Sequence, residues 1–343
     1  MSSEWPVLPL EDCLDALIDY RGKTPEKTSS GIPLITAKVI KNGRIEKPSE
    51  FIAIDDYDLW MRRGIPKMGD VVMTTEAPLG EVAQLSGEKI ALAQRVITLR
   101  GKSGLLNSSY LLYLLQTSEM QEQLKSRATG TTVLGIKQSE LRKVTLKIPP
   151  LSLQKDAASI LSVLDKKIDL LRETNTTLEA IAQTLFKSWF VDFDPVKAKA
   201  QGKQPEGMDE ATAALFPSEF EESALGLIPK GWRVKSLDEI AHYLNGLALQ
   251  KYPPEDNDWL PVIKIAQLRK GDTVGADRAN RRMKPEYIIQ DGDMLFSWSG
   301  SLEVEIWCGG EGALNQHLFK VTSQKYPKWF YYFWTKHHLV SFQ

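Results

Sequence analysis

The sequence has two cysteines in 343 residues, Cys13 and Cys308, and no CxxC pair. A structural zinc site needs clustered thiolates, so none is expected, and nothing asks for a disulfide framework. Histidine is also scarce. His242, His317, His337 and His338 make no HExxH or other metal-ligand spacing, and His337-His338 reads as a solvated pair. No run of 18 apolar residues occurs, so no membrane span is predicted. Glu4, Glu11 and Asp12 interrupt the apolar run that a secretory signal would need. The default reading is a cytoplasmic chain in a reducing compartment. Catalytic signatures are missing too. Gly101-Lys102-Ser103 has the tail of a phosphate-binding loop, but Val96 stands where its first glycine belongs. Asp194-Pro195-Val196 lacks the second proline and the aromatic residue of an amino-methyltransferase motif, and there is no GxGxxG loop. Asp55, Asp56 and Asp58 form a solvated charge run rather than a carboxylate site. No nucleophile, base or metal set emerges.

Nor is there an excess of charge of one sign. Lys and Arg number 43 against 44 Asp and Glu. The distribution is uneven, however. Residues 1–150 carry 20 basic and 18 acidic residues, 151–229 carry 8 and 13, and 230–343 carry 15 and 13. The flanks are mildly basic around an acidic middle, which is compatible with local DNA-binding patches and does not demand them.

Within that middle lies the longest regular pattern of the chain. From Ser152 onward, 39 residues run without Gly or Pro, between Pro149-Pro150 and Asp194-Pro195. Ile160, Leu164, Ile168, Leu171, Leu178, Ile181 and Leu185 recur in steps of three and four, with a wider gap at Asn175, so they fall on one face of a helix. Asn175 sits where a coiled coil often carries a polar register-setting residue. At 1.5 Å per residue this predicts a rod of about 58 Å.

Before the rod, the pattern is mixed α and β. Strands are expected around Gly31-Ile-Pro-Leu-Ile35, Gly69-Asp-Val-Val-Met73, Val82 to Leu85, Arg95 to Leu99 and Val144 to Ile148. A turn is expected at Lys41-Asn42-Gly43, and a helix over 108–124. After the rod, residues 195–229 are rich in Pro, Gly and acid and read as a linker, with Phe216, Phe220 and Leu225 laid on a surface. The last segment then repeats the first. Trp5 matches Trp232, Pro33-Leu-Ile-Thr-Ala-Lys38 matches Pro261-Val-Ile-Lys-Ile-Ala266, Gly69-Asp70 matches Gly292-Asp293, and Ala91-Leu-Ala-Gln94 matches Ala313-Leu-Asn-Gln316. The fold expected is α+β: a domain over 1–148, a spacer helix over 149–194, a linker over 195–230, and an incomplete second domain over 231–343.

Polar and basic residues in loops are the remaining functional candidates. In the first copy they are Lys38, Lys41, Arg44, Arg62, Arg63, Thr75, Glu76 and Arg95. In the second they are Lys264, Gln267, Arg269, Arg281, Arg282, Ser297 and Trp298. Arg and Lys grip phosphates or read guanine, Gln reads adenine, and Thr contacts a thymine methyl. Ordinary solvation explains any one of them; their doubling on two copies favours DNA.

With these pieces in hand, the chain resembles the specificity subunit of a type I restriction–modification system. The resemblance is carried by Ile148-Pro-Pro-Leu-x-x-Gln154 opening the rod and Leu185-Phe-Lys-Ser-Trp-Phe-Val-Asp-Phe-Asp-Pro195 closing it. Pro205-Glu-Gly-Met-Asp-Glu, Ala214-Leu-Phe-Pro217 and Gly226-Leu-Ile-Pro-Lys-Gly-Trp232 add to it. It implies two target-recognition domains, each reading half of a split site in duplex DNA. It implies a helix that sets their spacing and docks two modification subunits through Ile160, Leu164, Ile168, Leu171, Asn175, Leu178, Ile181, Leu185 and Trp189. S-adenosylmethionine would be held by those partners, which methylate adenine N6. ATP and Mg would be held by a restriction subunit, and this chain itself would catalyse nothing. Two half-sites read from one side of B-DNA lie roughly 34 Å apart, a distance that a rigid rod keeps and a flexible linker blurs. The family's second spacer helix has no counterpart here, so the sequence reads as truncated. The apolar stripe is then expected to pair with a second copy, a separate fragment or a modification subunit. The alternative reading is a helix-mediated interaction protein with no DNA reading of its own.

Overall fold

A computed structural model of the chain describes residues 5–255 and 257–339. The chain divides into two units, Met1–Glu173 and Thr174–Gln343. Each is an α+β body, and one long helix is continuous across the boundary.

Period-two alternation builds the first unit. Strands β1 (Leu14–Asp19), β2 (Ile32–Ile35), β3 (Val71–Thr75), β4 (Leu79–Gln84), β5 (Ala91–Leu92) and β6 (Val96–Gly101) carry most of it. Four of them form an antiparallel sheet in the order β1-β6-β3-β4, with Val71 opposite Leu99 and Met73 opposite Ile97. Val71, Met73, Ile97 and Leu99 face one core, shared with Leu111, Leu115 and Leu124 of the covering helices. Val72 and Val96 face the other, with Ile18, Leu34, Ile52 and Leu92. Strand β2 runs parallel to β5 and closes that second core. Val7–Pro9 pairs with Thr145–Lys147. The Asn42-Gly43 turn joins Ile40–Lys41 to Arg44–Ile45, both residues taking the positive φ (50° and 80°) that a tight hairpin requires.

The single helix expected over 108–124 is two: α1 (Ser108–Leu115) and α2 (Ser118–Ser126). Thr117 breaks it by turning its hydroxyl to the Met120 amide as an N-cap. The rod is α3, Leu151–Phe186, followed by a wider π-helical turn over Lys187–Val191 rather than the same helix to 190.

The stretch with linker composition is folded. It holds helices Asp194–Ala200 and Glu210–Ala214 and a hairpin of Phe220–Ser223 with Gly226–Pro229. Phe216 is buried against Trp189, Phe190 and Trp232, and Phe193 meets Phe220. These few aromatics give it a core that its overall composition hides. Leu225, expected on a surface beneath, is exposed.

In the second unit the strands are β7 (His242–Asn245), β8 (Trp259–Ile263), β9 (Met294–Ser297), β10 (Glu303–Ile306), β11 (Gly312–Leu314) and β12 (Leu318–Thr322). Their antiparallel sheet has the order β7-β12-β9-β10, and β8 runs parallel to β11. These six strands repeat the order and directions of the six strands of the first unit. Met294 and Phe296 pack with Tyr331 and Tyr332 of α4 (Lys328–His338), while Leu295 faces Ile263, Trp307 and Leu314.

The repeated Gly-Asp pair is a structural clamp. Gly69 and Gly292 adopt φ of 86° and 88°, a conformation that glycine adopts without a side-chain clash. Asp70 Oδ2 accepts the Lys67 amide at 2.8 Å, and both carboxylate oxygens take Arg100 nitrogens at 2.7 Å. Asp293 accepts the Gln290 amide at 2.8 Å and meets Lys320 Nζ at 2.7 Å. The hydrogen bonds that Arg100 donates to Asp70, with the carboxylate's charge, raise the Arg100 pKa against the opposing effect of burial. Asp70→Ala will lower the unfolding free energy by roughly 2–3 kcal/mol, less than for a fully buried pair because Arg100 reaches solvent. The denaturant midpoint is the readout.

Candidate nucleic-acid interface

Strand register gathers the first unit's polar candidates at one end of its sheet. Asp19 ends β1 opposite Ile97, and Val96 lies opposite Thr74, so the termini of β1 and β3 meet the start of β6. Arg95 stands there, exposed, with Nε 2.8 Å from Glu76 Oε1. Arg63 Nη1 donates to the carbonyls of Asp19 (3.2 Å) and Arg21 (2.6 Å), and Arg62 is exposed beside it in sequence. Lys38 and Lys41 line an open cleft of about 540 Å³ with Asn42, Ala77, Pro78 and Glu81, and Lys41 pairs with Glu46 at 2.7 Å.

Two first-unit residues do not belong to this surface. Thr75 is 2 % exposed, and its hydroxyl donates to the Arg95 carbonyl at 3.2 Å. Arg44 is turned to α3, its Nε 2.6 Å from Asp169 Oδ1. Sequence reasoning missed Arg21, which pairs with Asp19 at 2.6 Å and donates to the Ile136 carbonyl at 2.9 Å.

In the second unit most basic candidates are matched by an acid. Lys264 pairs with Asp277, Arg269 with Glu303, Arg282 with Glu255 at 2.8 Å, and Arg281 with Glu311 and with Asp258 at 2.9 Å. Arg281 holds the Glu311 carboxyl below the usual range, helped by Gln290. Gln267 is 6 % exposed, and its side chain caps the Lys264 amide at 3.3 Å. Ser297 is fully buried, its hydroxyl given to the Ser301 carbonyl at 2.8 Å. Trp298 is an exposed aromatic, 43 % accessible, its indole N–H 3.2 Å from Asn245 Oδ1. Ser299 follows it, and Asn245 and His317, which were not among the sequence candidates, stand beside it. Extending the match of Gln94 with Gln316 by one residue sets Arg95 opposite His317 and is the signal that finds them.

Helix α3 presents two unlike faces. In the first unit its polar face docks. Gln154 is fully buried; it accepts the Asn107 amide at 2.9 Å and donates to the carbonyls of Leu105 (2.9 Å) and Pro149 (2.8 Å). Ala158 is buried, Tyr113 donates its phenol to Asp165 at 2.8 Å, and Arg44 meets Asp169. Burial, reinforced by Asp165, raises the Tyr113 pKa. Residues 154, 158, 165 and 169 lie on one side of the helix, and Ile160, Leu164 and Leu171 on the other, all three exposed. Ile168 is also exposed, at the edge of that apolar face. Beyond residue 173, Asn175, Leu178, Ile181 and Leu185 are exposed as well. Leu164, Leu171, Leu178 and Leu185 recur every seven residues, with Ile160, Lys167, Thr174 and Ile181 between them, which is the spacing of a coiled-coil seam. Trp189 lies outside this seam, half-buried with its ring 5.8 Å from Phe216.

Within the second unit α3 is held by Glu179, which accepts the Tyr332 phenol at 3.1 Å and pairs with Lys336. Phe186 packs against Phe333 and Trp334 at 5.3 and 5.2 Å. The hydrogen bond from Lys336 holds the Glu179 carboxyl below its ordinary range, while burial pushes Glu305, 4.0 Å from Lys336, above it. Among the described residues no group of three His, Cys, Asp or Glu could hold a metal ion, and no helix is long and apolar enough to cross a membrane.

A depressed carboxyl adds stability above its unfolded pKa and loses it as pH falls through the folded value. Glu179→Gln will therefore melt below the parent at pH 7, by an amount worth up to about 1 kcal/mol for so exposed a pair. The gap will close below about pH 4. Glu305→Gln will do the reverse and raise the melting temperature at pH 7, because a raised carboxyl stabilises only while protonated. Melting curves from pH 3 to 7 test both.

Against known proteins, the profile of the type I restriction modification DNA specificity domain matches residues 2–180. The type I restriction enzyme MjaIX specificity subunit of Methanocaldococcus jannaschii is 29% identical over 313 residues, covering 87% of this chain and 66% of its own. The HindI specificity subunit of Haemophilus influenzae is 29% identical over 226 residues, 53% of this chain and 48% of its own. The chain thus spans half to two thirds of the length of these curated relatives. A crystal structure of a type I restriction–modification S subunit from M. genitalium overlays 98% of this chain on 78% of its own, with a TM-score of 0.50 at 17% identity, a likeness of fold.

Proposed function

The chain belongs to the type I restriction–modification DNA specificity family, and on that premise we propose that it is the DNA-reading subunit of a type I restriction–modification complex. Each α+β unit reads one half of a bipartite site, and α3 sets the spacing between the halves. The observation that carries this reading is the strand-for-strand repetition of one sheet topology on either side of a continuous helix of 36 residues. A split site needs two readers and a fixed distance, and a helix of that length is about 54 Å of rod.

The chemistry belongs to partners. Two modification subunits hold S-adenosylmethionine and methylate adenine N6, and restriction subunits hold ATP and Mg²⁺. This chain has no GxGxxG or complete phosphate loop to hold either cofactor. Its own residues bind and position. The complex works in the cytoplasm, where its DNA is. The leucine seam of α3 takes a second helix, from another copy of this chain or from a modification subunit. Each large side chain covered there contributes about 1.5–3 kcal/mol when fully buried.

Two residues inserted within 174–177 will change the spacing between methylated half-sites or abolish methylation; an unchanged site rejects the ruler. Affinity for duplex DNA will fall steeply with salt, with a log–log slope near −0.9 per phosphate contacted. A flat, negligible affinity selects the interaction protein without DNA reading. Leu171→Asp with Leu178→Asp will leave the sheets folded and dissociate any helix-paired species in sedimentation velocity.

A further inference from the structure

We propose that the second unit reads duplex DNA through one exposed cluster, Asn245, Trp298, Ser299 and His317, and that His317 determines specificity there. The proposal rests on the DNA-reading function above and names the reading groups in a region outside the matched residues 2–180.

Position is the first support. In the first unit the Thr75 amide donates to the Arg95 carbonyl at 3.0 Å, tying the end of β3 to the start of β6. In the second the Trp298 amide donates to the His317 carbonyl at 3.4 Å, tying the end of β9 to the start of β12. The two ties are the same tie. Thr75 corresponds to Trp298, Glu76 to Ser299, and Arg95 to His317. The next contact corresponds as well: the Glu76–Arg95 ion pair of one copy is a hydrogen bond in the other, Ser299 Oγ to His317 Nδ1 at 2.9 Å. At one place in the fold, a buried threonine is replaced by an exposed tryptophan and an ion pair by a hydrogen bond.

Chemistry is the second support. The first copy's arginine is already answered by a carboxylate. The second copy's cluster carries no carboxylate, and His317 Nε2 has no partner among the described residues. With Nδ1 engaged by Ser299, Nε2 is left to donate to or accept from a base edge such as purine N7 or O6. Trp298 is fixed by Asn245 at 3.2 Å and by the rings of His317 and Phe319, both 6.1 Å away. Buried Ser297 pins the loop beneath through the Ser301 and Ser299 carbonyls. The cluster is therefore ordered before any ligand arrives, which lowers the entropic cost of binding. An apolar ring beside hydrogen-bonding groups fits the edge of a base pair, where a thymine methyl lies next to donors and acceptors.

The experiment co-expresses the full chain, or its Trp298→Ala or His317→Gln variant, with the cognate modification subunit and maps N6-methyladenine across host DNA. His317→Gln is close in size and exposed, so it decides alone if Trp298→Ala fails to fold. The expected result is a bipartite motif for the parent. For the variants, one half of that motif relaxes by about tenfold or more in selectivity while the other half is unchanged. Arg95→Ala, where it acts, relaxes the opposite half. An identical motif at parental rates in both variants overturns the proposal and leaves the subunit's function standing. Equal loss of methylation at both halves with the motif intact also overturns it, since that marks a protein-docking surface. A palindromic parental motif overturns it because the second unit is then silent. A parent that directs no recurrent motif removes the proposed function, and this inference with it.

Discussion

The docking of α3 by its polar face is the constraint on which the rest depends. Gln154 is buried with three hydrogen bonds to the backbone around Leu105, Asn107 and Pro149. Asp165 and Asp169 continue that face to Tyr113 and Arg44. An amphipathic helix ordinarily turns its apolar side inward. Here the body of the first unit takes the polar side, so the leucines are left outward. The inversion is set by directional bonds that a slip of one residue would break, since it would rotate every partner by about 100°.

A second constraint is electrostatic. A chain with nearly equal numbers of basic and acidic residues gains no basic face from its net charge, and most of its candidate cations are answered locally: Arg95 by Glu76, Arg281 by Glu311, Arg282 by Glu255, Arg44 by Asp169. Such a surface steers phosphate weakly and leaves discrimination to a few fixed groups in loops. That suits the proposed function, in which partner subunits supply part of the hold on DNA.

The architecture was legible in the sequence because it rests on period and repetition. Gly69-Asp70 and Gly292-Asp293 mark the same backbone turn twice, and the steps of α3 are helical over ten turns. The candidate surface was less legible, because burial of a polar residue is decided by distant partners. Thr75 and Ser297 look like loop hydroxyls in sequence, yet the alternation of β3 and β9 ends with them inside. Gln267 looks like a base reader and caps a helix of six residues. Arg44 belongs to a basic turn and serves an aspartate 125 residues away. His317 has no metal-ligand spacing, and its correspondence with Arg95 shows only in the strand register. The linker over 195–229 was misread because four aromatic rings brought together from Trp189 to Trp232 outweigh its average composition.

The outward leucines also bear on how long the chain survives. Leu171, 54 % exposed, and its neighbours form the kind of contiguous apolar surface on which aggregation and proteolysis act. Any helix that covers the seam stabilises the chain by mass action, in proportion to the logarithm of its concentration. On the proposed docking of a helix along the seam, copies made in excess of their partners will keep it in water and turn over faster. The stoichiometry of assembly is thereby written into the half-life of the subunit, with no dedicated sensor.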